Sequence, residues 1–375
     1  LQLLGEYFTF EASKSLPIHR WFYYKEAYAP QIVTHFINEF GKDSPVSSVF
    51  DPFCGIGTTP LTSKSLGIES AGIDASPLAV FASRAKCADY SDSDVEELKS
   101  ALKSMFRERN EPAFRWDFEL FSPRRFFSRR NYSDICFLRE KIEKLENEKA
   151  GGLLLLSLLS ILPQCGFFIK DGGVLRIQKN KRAMPAKDAF KRKAKQVISD
   201  LENSRMEGPL PQISLADART YSKGKYDVFI TSPPYLNNID YSKVYGLELS
   251  LLAMDKDASP NMRKEAVRSF ITKDARETKV PKEAGEVGYN IPVAGEYFAD
   301  MEKVLKNLYE ISERGGALIV GNSVIHDTHI EVDEILGKIG ERIGFSYEIP
   351  FWKERVADVK PAKMKVRESA IVFRK

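Results

Sequence analysis

The chain has 375 residues, 43% hydrophobic and 29% charged, enough for one large domain with insertions or for two or three smaller ones. The formal net charge of +4 is too small to mark a polyanion binder by itself, so its distribution matters more than its sum. Four cysteines (Cys54, Cys87, Cys136, Cys165) with no C-x-x-C spacing argue against a zinc site or a disulfide framework, and four scattered histidines against any metal. The longest apolar run, LLLLSLLSIL at 153–162, is too short to cross a bilayer and reads as a buried helix. No signal peptide is visible and the chain starts with Leu, as a trimmed chain would. The expectation is a reducing, cytoplasmic setting.

In chain order, Ile32, Val33, Phe36, Ile37 and Phe40 have helical spacing and predict an amphipathic helix. SSVFDPFCGIGTTPLTSKSLGIESAGID then reads as strand, glycine turn, helix ended by Gly67, and second strand: a βαβ unit. From about 88 to 210 the alternation stops. SDVEELKSALKSMFRER, SDICFLREKIEKLENEKAGG (ended by its Gly pair), the 153–162 run and KDAFKRKAKQVISDLENS predict four helices. Strands resume with QISLAD, YDVFITS and GGALIVGNS, the last preceded by the helix EYFADMEKVLKNLYEISER. HIEVDEILGKIGERIG predicts another helix, and SYEIPFWKE with ESAIVFRK a closing hairpin at the sheet edge. Residues 255–293 are polar and irregular and read as a loop. The fold class is α/β: a doubly wound, mostly parallel sheet of seven strands with a large helical insertion. It divides into a cofactor half over 1–90, a basic helical insertion over 91–210 and a catalytic half over 211–375.

Two constellations carry chemistry. In the first, Gly55 and Gly57 of DPFCGIGTT allow a tight turn between strand and helix. Asp51 at its start would repel a pyrophosphate and suits a cationic or amine-bearing ligand. Asp74, 17 residues after Gly57 and ending the second strand, stands where an acid accepts from ribose hydroxyls. A ribose, no phosphate and a positive group together describe S-adenosylmethionine. Asp217, ending LADAR, would face the same crevice one strand over and accept from the adenine amine; equally, it could cap its own turn.

The second is Thr-Ser-Pro-Pro-Tyr, 231–235. Two prolines end the strand and hold the following atoms rigid. Methylation of a nucleobase amine needs acceptors on the amine hydrogens, because its lone pair is delocalised into the ring. The Ser232 hydroxyl and the Pro233 carbonyl can supply them, Pro234 holds the turn, and Tyr235 can stack on the base.

Together DPFCGIGTT and TSPPY resemble the amino-group DNA methyltransferases, which act on cytosine N4 or adenine N6 and have the Rossmann-like class I S-adenosylmethionine-dependent fold. IHRWFYYKEAYAPQIV, GGALIVGNS and MKVRESAIVFRK are similar to further segments of that family. The resemblance implies that Asp51, Phe53, Gly55 and Gly57 line the methionine side, with Pro52, Cys54 and Thr58 of the same turn and Ala75 beside Asp74 also touching the cofactor. It implies Ser232, Pro233, Pro234 and Tyr235 as the catalytic loop. Ser-Pro-Pro-Tyr is the form typical of cytosine-N4 enzymes; Asp-Pro-Pro or Asn-Pro-Pro is more typical of adenine-N6 enzymes. The cofactor motif precedes the catalytic motif, as in the alpha or gamma arrangement, whereas the insertion falls between the second and third strands.

Double-stranded DNA is the implied partner, in a restriction-modification system with a companion endonuclease, at the prokaryotic nucleoid. Residues 170–195 hold ten Lys or Arg against two Asp, among them Arg176, Lys179, Lys181 and Arg182. SPRRFFSRR adds Arg124, Arg125, Arg129 and Arg130. Such stretches suit phosphate contacts, or equally a solvated helix face. An adenine-N6 enzyme, an RNA amino-group enzyme and a non-catalytic DNA-binding subunit stay open as alternatives.

Overall fold

The computed structural model describes every residue except 1, 108–111, 119–120, 172, 238, 254–266, 270–277 and 358–363. Its centre is a seven-stranded sheet. Strand β1 (Ser48–Asp51) and β2 (Glu69–Asp74) are parallel and joined by the helix Thr58–Ser65. The insertion carries a hairpin, β3 (Phe168–Asp171) and β4 (Val174–Ile177). The main sheet continues with β5 (Gln212–Leu215), β6 (Val228–Thr231) and β7 (Gly315–Gly321). A small hairpin, β8 (Ser323–Ile325) and β9 (Thr328–Ile330), leads to the helix Val332–Ile343. The long strands β10 (Ser346–Ala357) and β11 (Met364–Arg374) close the chain.

The order across the sheet is β10-β11-β7-β6-β1-β2-β5, all parallel except β11, which runs against both neighbours. Renumbered within the sheet, this is 3-2-1-4-5-7-6, the class I methyltransferase order. Strand β6 reads Val-Phe-Ile-Thr and is buried along its length, as a central parallel strand covered by helices on both faces must be. The order reverses between β1 and β6, so a crevice opens beyond their C-terminal ends.

The helix Pro30–Phe40 buries all five residues whose spacing predicted it, and they pack on Val49, Val228 and Ile319 of the sheet. The insertion does not stand apart. Leu98, Leu138, Leu154, Leu158 and Val197 share one core with Leu61 and Leu78 beside the cofactor turn and with Leu249 of the catalytic half. Asp200 on the insertion's last helix accepts from Trp21 Nε1 (2.9 Å), the Ile18 amide (3.1 Å) and Arg20 Nε (3.1 Å), fastening the N-terminal segment to it.

Several local readings need correction. The pair Gly151-Gly152 does not end a helix: one helix stops at Glu143, and the next runs from Glu148 through both glycines to Cys165. Asn147 caps that second helix by accepting from the Ala150 amide at 2.7 Å, so a good cap, not a glycine, places the break. Between the helices of the insertion lies the β3–β4 hairpin, which the sequence reading did not assign. The stretch expected to begin a helix at His329 is the β8–β9 hairpin; His326 and Asp327 form its two-residue turn with φ of 49° and 61°. Within the loop expected over 255–293, residues 255–266 and 270–277 lie outside the described residues; Gly285–Asn290 is a helix, and Pro292 opens a twenty-residue one. Among the described residues no helix is long and apolar enough to cross a membrane.

Candidate active site

The crevice beyond β1 and β6 is a cleft of about 670 Å3, within the range of small-molecule sites. Pro52, Phe53, Cys54, Gly55 and Thr58 of the glycine turn line it, with Asp74 and Ala75 at the end of β2 and Asp217 after β5. Ser232, Pro233, Pro234 and Tyr235 line the same cleft. Two motifs 180 residues apart in sequence meet because β1 and β6 pair directly, Val49 with Val228 and Phe50 with Phe229.

Asp51 and Gly57 lie behind the cleft wall, not on it. Asp51 is 1% exposed. Its Oδ1 accepts from the Thr231 hydroxyl at 2.5 Å and the Phe53 amide at 3.0 Å, and its Oδ2 from the Tyr28 phenol at 3.1 Å. It is a strut between the two motifs, tying the end of β1 to the end of β6. Burial raises its carboxyl to about 6, against the pull of these donors. Gly57, at φ 84°, starts the following helix, and a Cβ there would meet the Ser83 Oγ at 2.4 Å. The turn requires glycine for both reasons.

Asp74 performs two tasks. Its Oδ2 accepts from the Gly55 amide at 2.9 Å, which holds the turn's shape, and its Oδ1 from the Ser76 amide at 2.8 Å. Burial lifts its carboxyl to about 6, partly offset by those two amides. Asp217 chelates Arg219, which also reaches Asp300 at 3.1 Å. Its side chain also caps its own turn by accepting from the Arg219 amide at 2.9 Å, the turn-cap role the sequence suggested.

In the catalytic loop the Ser232 hydroxyl donates to the Ile319 carbonyl of β7 at 3.0 Å. Its only proton is thereby spent on the sheet, leaving an acceptor for the cleft. The Tyr235 phenol donates to Glu368 at 2.8 Å, and burial with that neighbouring charge holds it neutral. A Cβ on Gly321 would lie 2.8 Å from the Tyr235 ring, so β7 needs glycine where the ring packs.

Sequence reasoning missed a whole wall of the cleft: Lys353, Arg355, Val356 and Glu368 of the closing hairpin, with Asn322 after β7. The signal was the alternation of Phe351, Lys353 and Arg355 with exposed Trp352 and Glu354. It also missed Tyr24, Glu26 and Tyr28 on the N-terminal side and the tip of the β3–β4 hairpin at Gly173. Tyr24 stacks on Tyr245 at 4.4 Å, and the Tyr245 phenol donates to Glu26 at 2.7 Å.

The basic residues separate into two groups. Arg124, Arg125, Arg129, Arg130, Arg176, Lys179 and Arg182 are exposed. Lys181 is not a surface cation: it turns inward and donates to the carbonyls of Pro163 and Phe168, stapling the β3–β4 hairpin to the preceding helix. Phe126 and Phe127, between the arginines, are buried in the core and offer no ring to a base.

The type II methyltransferase M.BsoBI of Geobacillus stearothermophilus is 28% identical over an alignment of 290 positions that covers 68% of this chain. The type II methyltransferase M.AvaI of Nostoc sp. is 25% identical over 91% of this chain and 81% of its own length. The chain is thus similar in sequence to type II methyltransferases. It spans 56% of the length of the Geobacillus relative. Another type II methyltransferase, M.MjaII of Methanocaldococcus jannaschii, is 31% identical over 27% of this chain and 18% of its own. No family model matches this chain. Among solved structures it is similar to an rRNA methyltransferase from Streptomyces viridochromogenes, at 11% identity and a TM-score of 0.32 over 96% of this chain and 85% of that one. It is similar also to a magnesium protoporphyrin IX methyltransferase from Synechocystis PCC 6803, at 11% identity and a TM-score of 0.31 over 99% and 95%. The fold assignment rests on the strand order, not on these two.

Proposed function

We propose that this chain is an S-adenosylmethionine-dependent DNA methyltransferase of a type II restriction-modification system, acting on the exocyclic N4 of cytosine. The observation that carries this reading is the Ser-Pro-Pro-Tyr loop opening into the same cleft as the glycine turn and Asp74. The type II methyltransferase names of its relatives support DNA as substrate.

The cleft fits the cofactor by the chemistry of its donors and acceptors. Asp74 offers a carboxylate to a ribose, and Pro52 and Phe53 an apolar wall. Gly55, at φ 50°, keeps open the space in front of the turn: a Cβ there meets nothing closer than 3.9 Å. When bound, S-adenosylmethionine supplies an electrophilic methyl on a sulfonium. The chain's own residues then act on the other reactant. Ser232 Oγ and the Pro233 carbonyl accept the two amine hydrogens and draw the nitrogen lone pair out of conjugation. Tyr235 lies along the base and sets its plane. As the new N–C bond forms, positive charge grows on the amine, and these acceptors stabilise it more than they stabilise the ground state. One amine proton then leaves to solvent. The target base must first leave the duplex stack. The exposed arginines at 124, 125, 129 and 130, with Arg176, Lys179 and Arg182, hold the flanking phosphates.

The test is to modify DNA with the purified chain and labelled S-adenosylmethionine, digest it to nucleosides and identify the product. N4-methylcytosine is expected. N6-methyladenine would overturn the base assignment, and no incorporation into any DNA would overturn the enzyme.

A further inference from the structure

The sheet order sets the cleft out as a row. Asp217 follows β5, Asp74 ends β2, the glycine turn follows β1, and Ser232 follows β6. Adjacent strands are about 4.8 Å apart. On the proposed function, the residues that would hold the cofactor lie over β5, β2 and β1, and the loop that would hold the acceptor base follows β6. What lies beyond β6, toward β7, β11 and β10, would then face that base.

That far side presents one cation with an unusual environment. Arg355, on β10, lines the cleft with its guanidinium 5.9 Å from the Tyr235 ring centroid. Nη2 is fixed by donating to the Asn322 carbonyl at 3.0 Å. Nε is buried and has no hydrogen-bond partner among the described residues. The nearby carboxylate does not serve it: Glu368 gives one oxygen to the Tyr235 phenol at 2.8 Å and the other to Lys353 at 3.1 Å. A buried guanidinium N–H without an acceptor is a standing penalty that a ligand acceptor would remove.

We propose that Arg355 reads the Watson–Crick edge of the target pyrimidine, donating to its O2 and N3 while Ser232 and Pro233 hold the amine. The inference rests on the cytosine-N4 reading above. Cytosine carries O2 and N3 as adjacent acceptors beside its amine, and a guanidinium fork matches such a pair. Adenine carries only N1 beside its amine, followed by a C–H. Arg355 is therefore a specificity residue, favouring a pyrimidine over a purine in a loop that could methylate either.

The experiment compares wild type with R355M and R355K. The recognition sequence is first read from methylated DNA of an expressing host. A duplex carrying it is then made with the target as cytosine or as 3-deazacytosine, which keeps the amine but replaces N3 by C–H. The expected result is that the ratio of methylation rates, cytosine over analogue, falls by about 10- to 100-fold in R355M, the discrimination of one paired contact. R355K, with the charge but not the fork, is expected to behave like R355M. Cofactor affinity by calorimetry, which also reports folding, is expected within about twofold of wild type. An unchanged ratio in both variants would overturn the assignment, as would a wild-type ratio in R355K. A fall in cofactor affinity matching the fall in rate would also overturn it, by moving Arg355 to the cofactor's carboxylate. The nucleoside digest separates the two levels. N6-methyladenine would end the cytosine reading and this assignment with it; N4-methylcytosine with an unchanged ratio would end the assignment alone.

Discussion

Replacing Ser232 by Ala removes one oxygen with two separable tasks. Structurally, the hydroxyl donates to the Ile319 carbonyl at 3.0 Å, a single neutral, part-buried bond. Losing it costs about 1 kcal/mol of stability, which in a chain this large lowers Tm by roughly 2 °C or less. Chemically, the same oxygen is one of two acceptors for the amine as charge develops on it. Removing one preorganised partner of a developing charge lowers kcat by about 100- to 1,000-fold, or roughly 3–4 kcal/mol. The carbonyl of Pro233 remains, so activity does not vanish. Ser232 lies over β6, away from Asp74, so cofactor affinity should stay within about twofold. Single-turnover methyl transfer to DNA measures the chemical step, and calorimetry measures the cofactor. A rate within threefold of wild type would refute the acceptor role. A cofactor loss equal to the rate loss would show that Ser232 serves binding and not chemistry.

Asp74→Asn should weaken cofactor binding by about 10- to 100-fold, because a charged acceptor is lost and the Gly55 amide then faces an amide instead of a carboxylate. In the wild type the Asp74 carboxyl titrates near 6. Affinity is therefore full above that pH and falls as pH drops through it, up to about tenfold per unit. Calorimetry across pH 5–8 should show this slope flattened in Asp74→Asn; an equally steep slope in the variant would assign the titration elsewhere. Asp200→Ala strips a 2%-exposed carboxylate from Trp21, Ile18 and Arg20 and should destabilise the fold by about 3–5 kcal/mol, read as a lower urea midpoint. Lys181→Ala should lower stability by about 1–3 kcal/mol, since the Pro163 and Phe168 carbonyls lose their donor, with no change in the salt dependence of DNA binding. Arg124→Ala should do the opposite, leaving the urea midpoint in place and reducing the salt slope by about one.

Local chemistry decided a good part of this protein within the sequence. A glycine turn after an apolar strand, an acid at the end of the next strand and a double proline after a third are short-range patterns. Each constrains its own backbone wherever the chain goes, which is why Gly55, Asp74 and Ser232 could be named without coordinates. The helix Pro30–Phe40 was legible for the same reason: five apolar residues on one face must be buried.

Tertiary structure decided the rest, because it depends on what arrives from far along the chain. Asp51 looks like a ligand residue until β6 is laid beside β1 and Thr231 takes its carboxylate. Lys181 and Arg182 are adjacent basic residues, yet one folds inward onto two carbonyls and the other faces water. Arg355 carries no motif. Only the antiparallel pairing of β11 with β7, which sets β10 alongside, brings it to Tyr235. A backbone turn is fixed by its own few dihedrals, whereas the role of a charge is fixed by its partners, which the fold brings from 13 and 18 residues away for Lys181 and from 180 for Asp51.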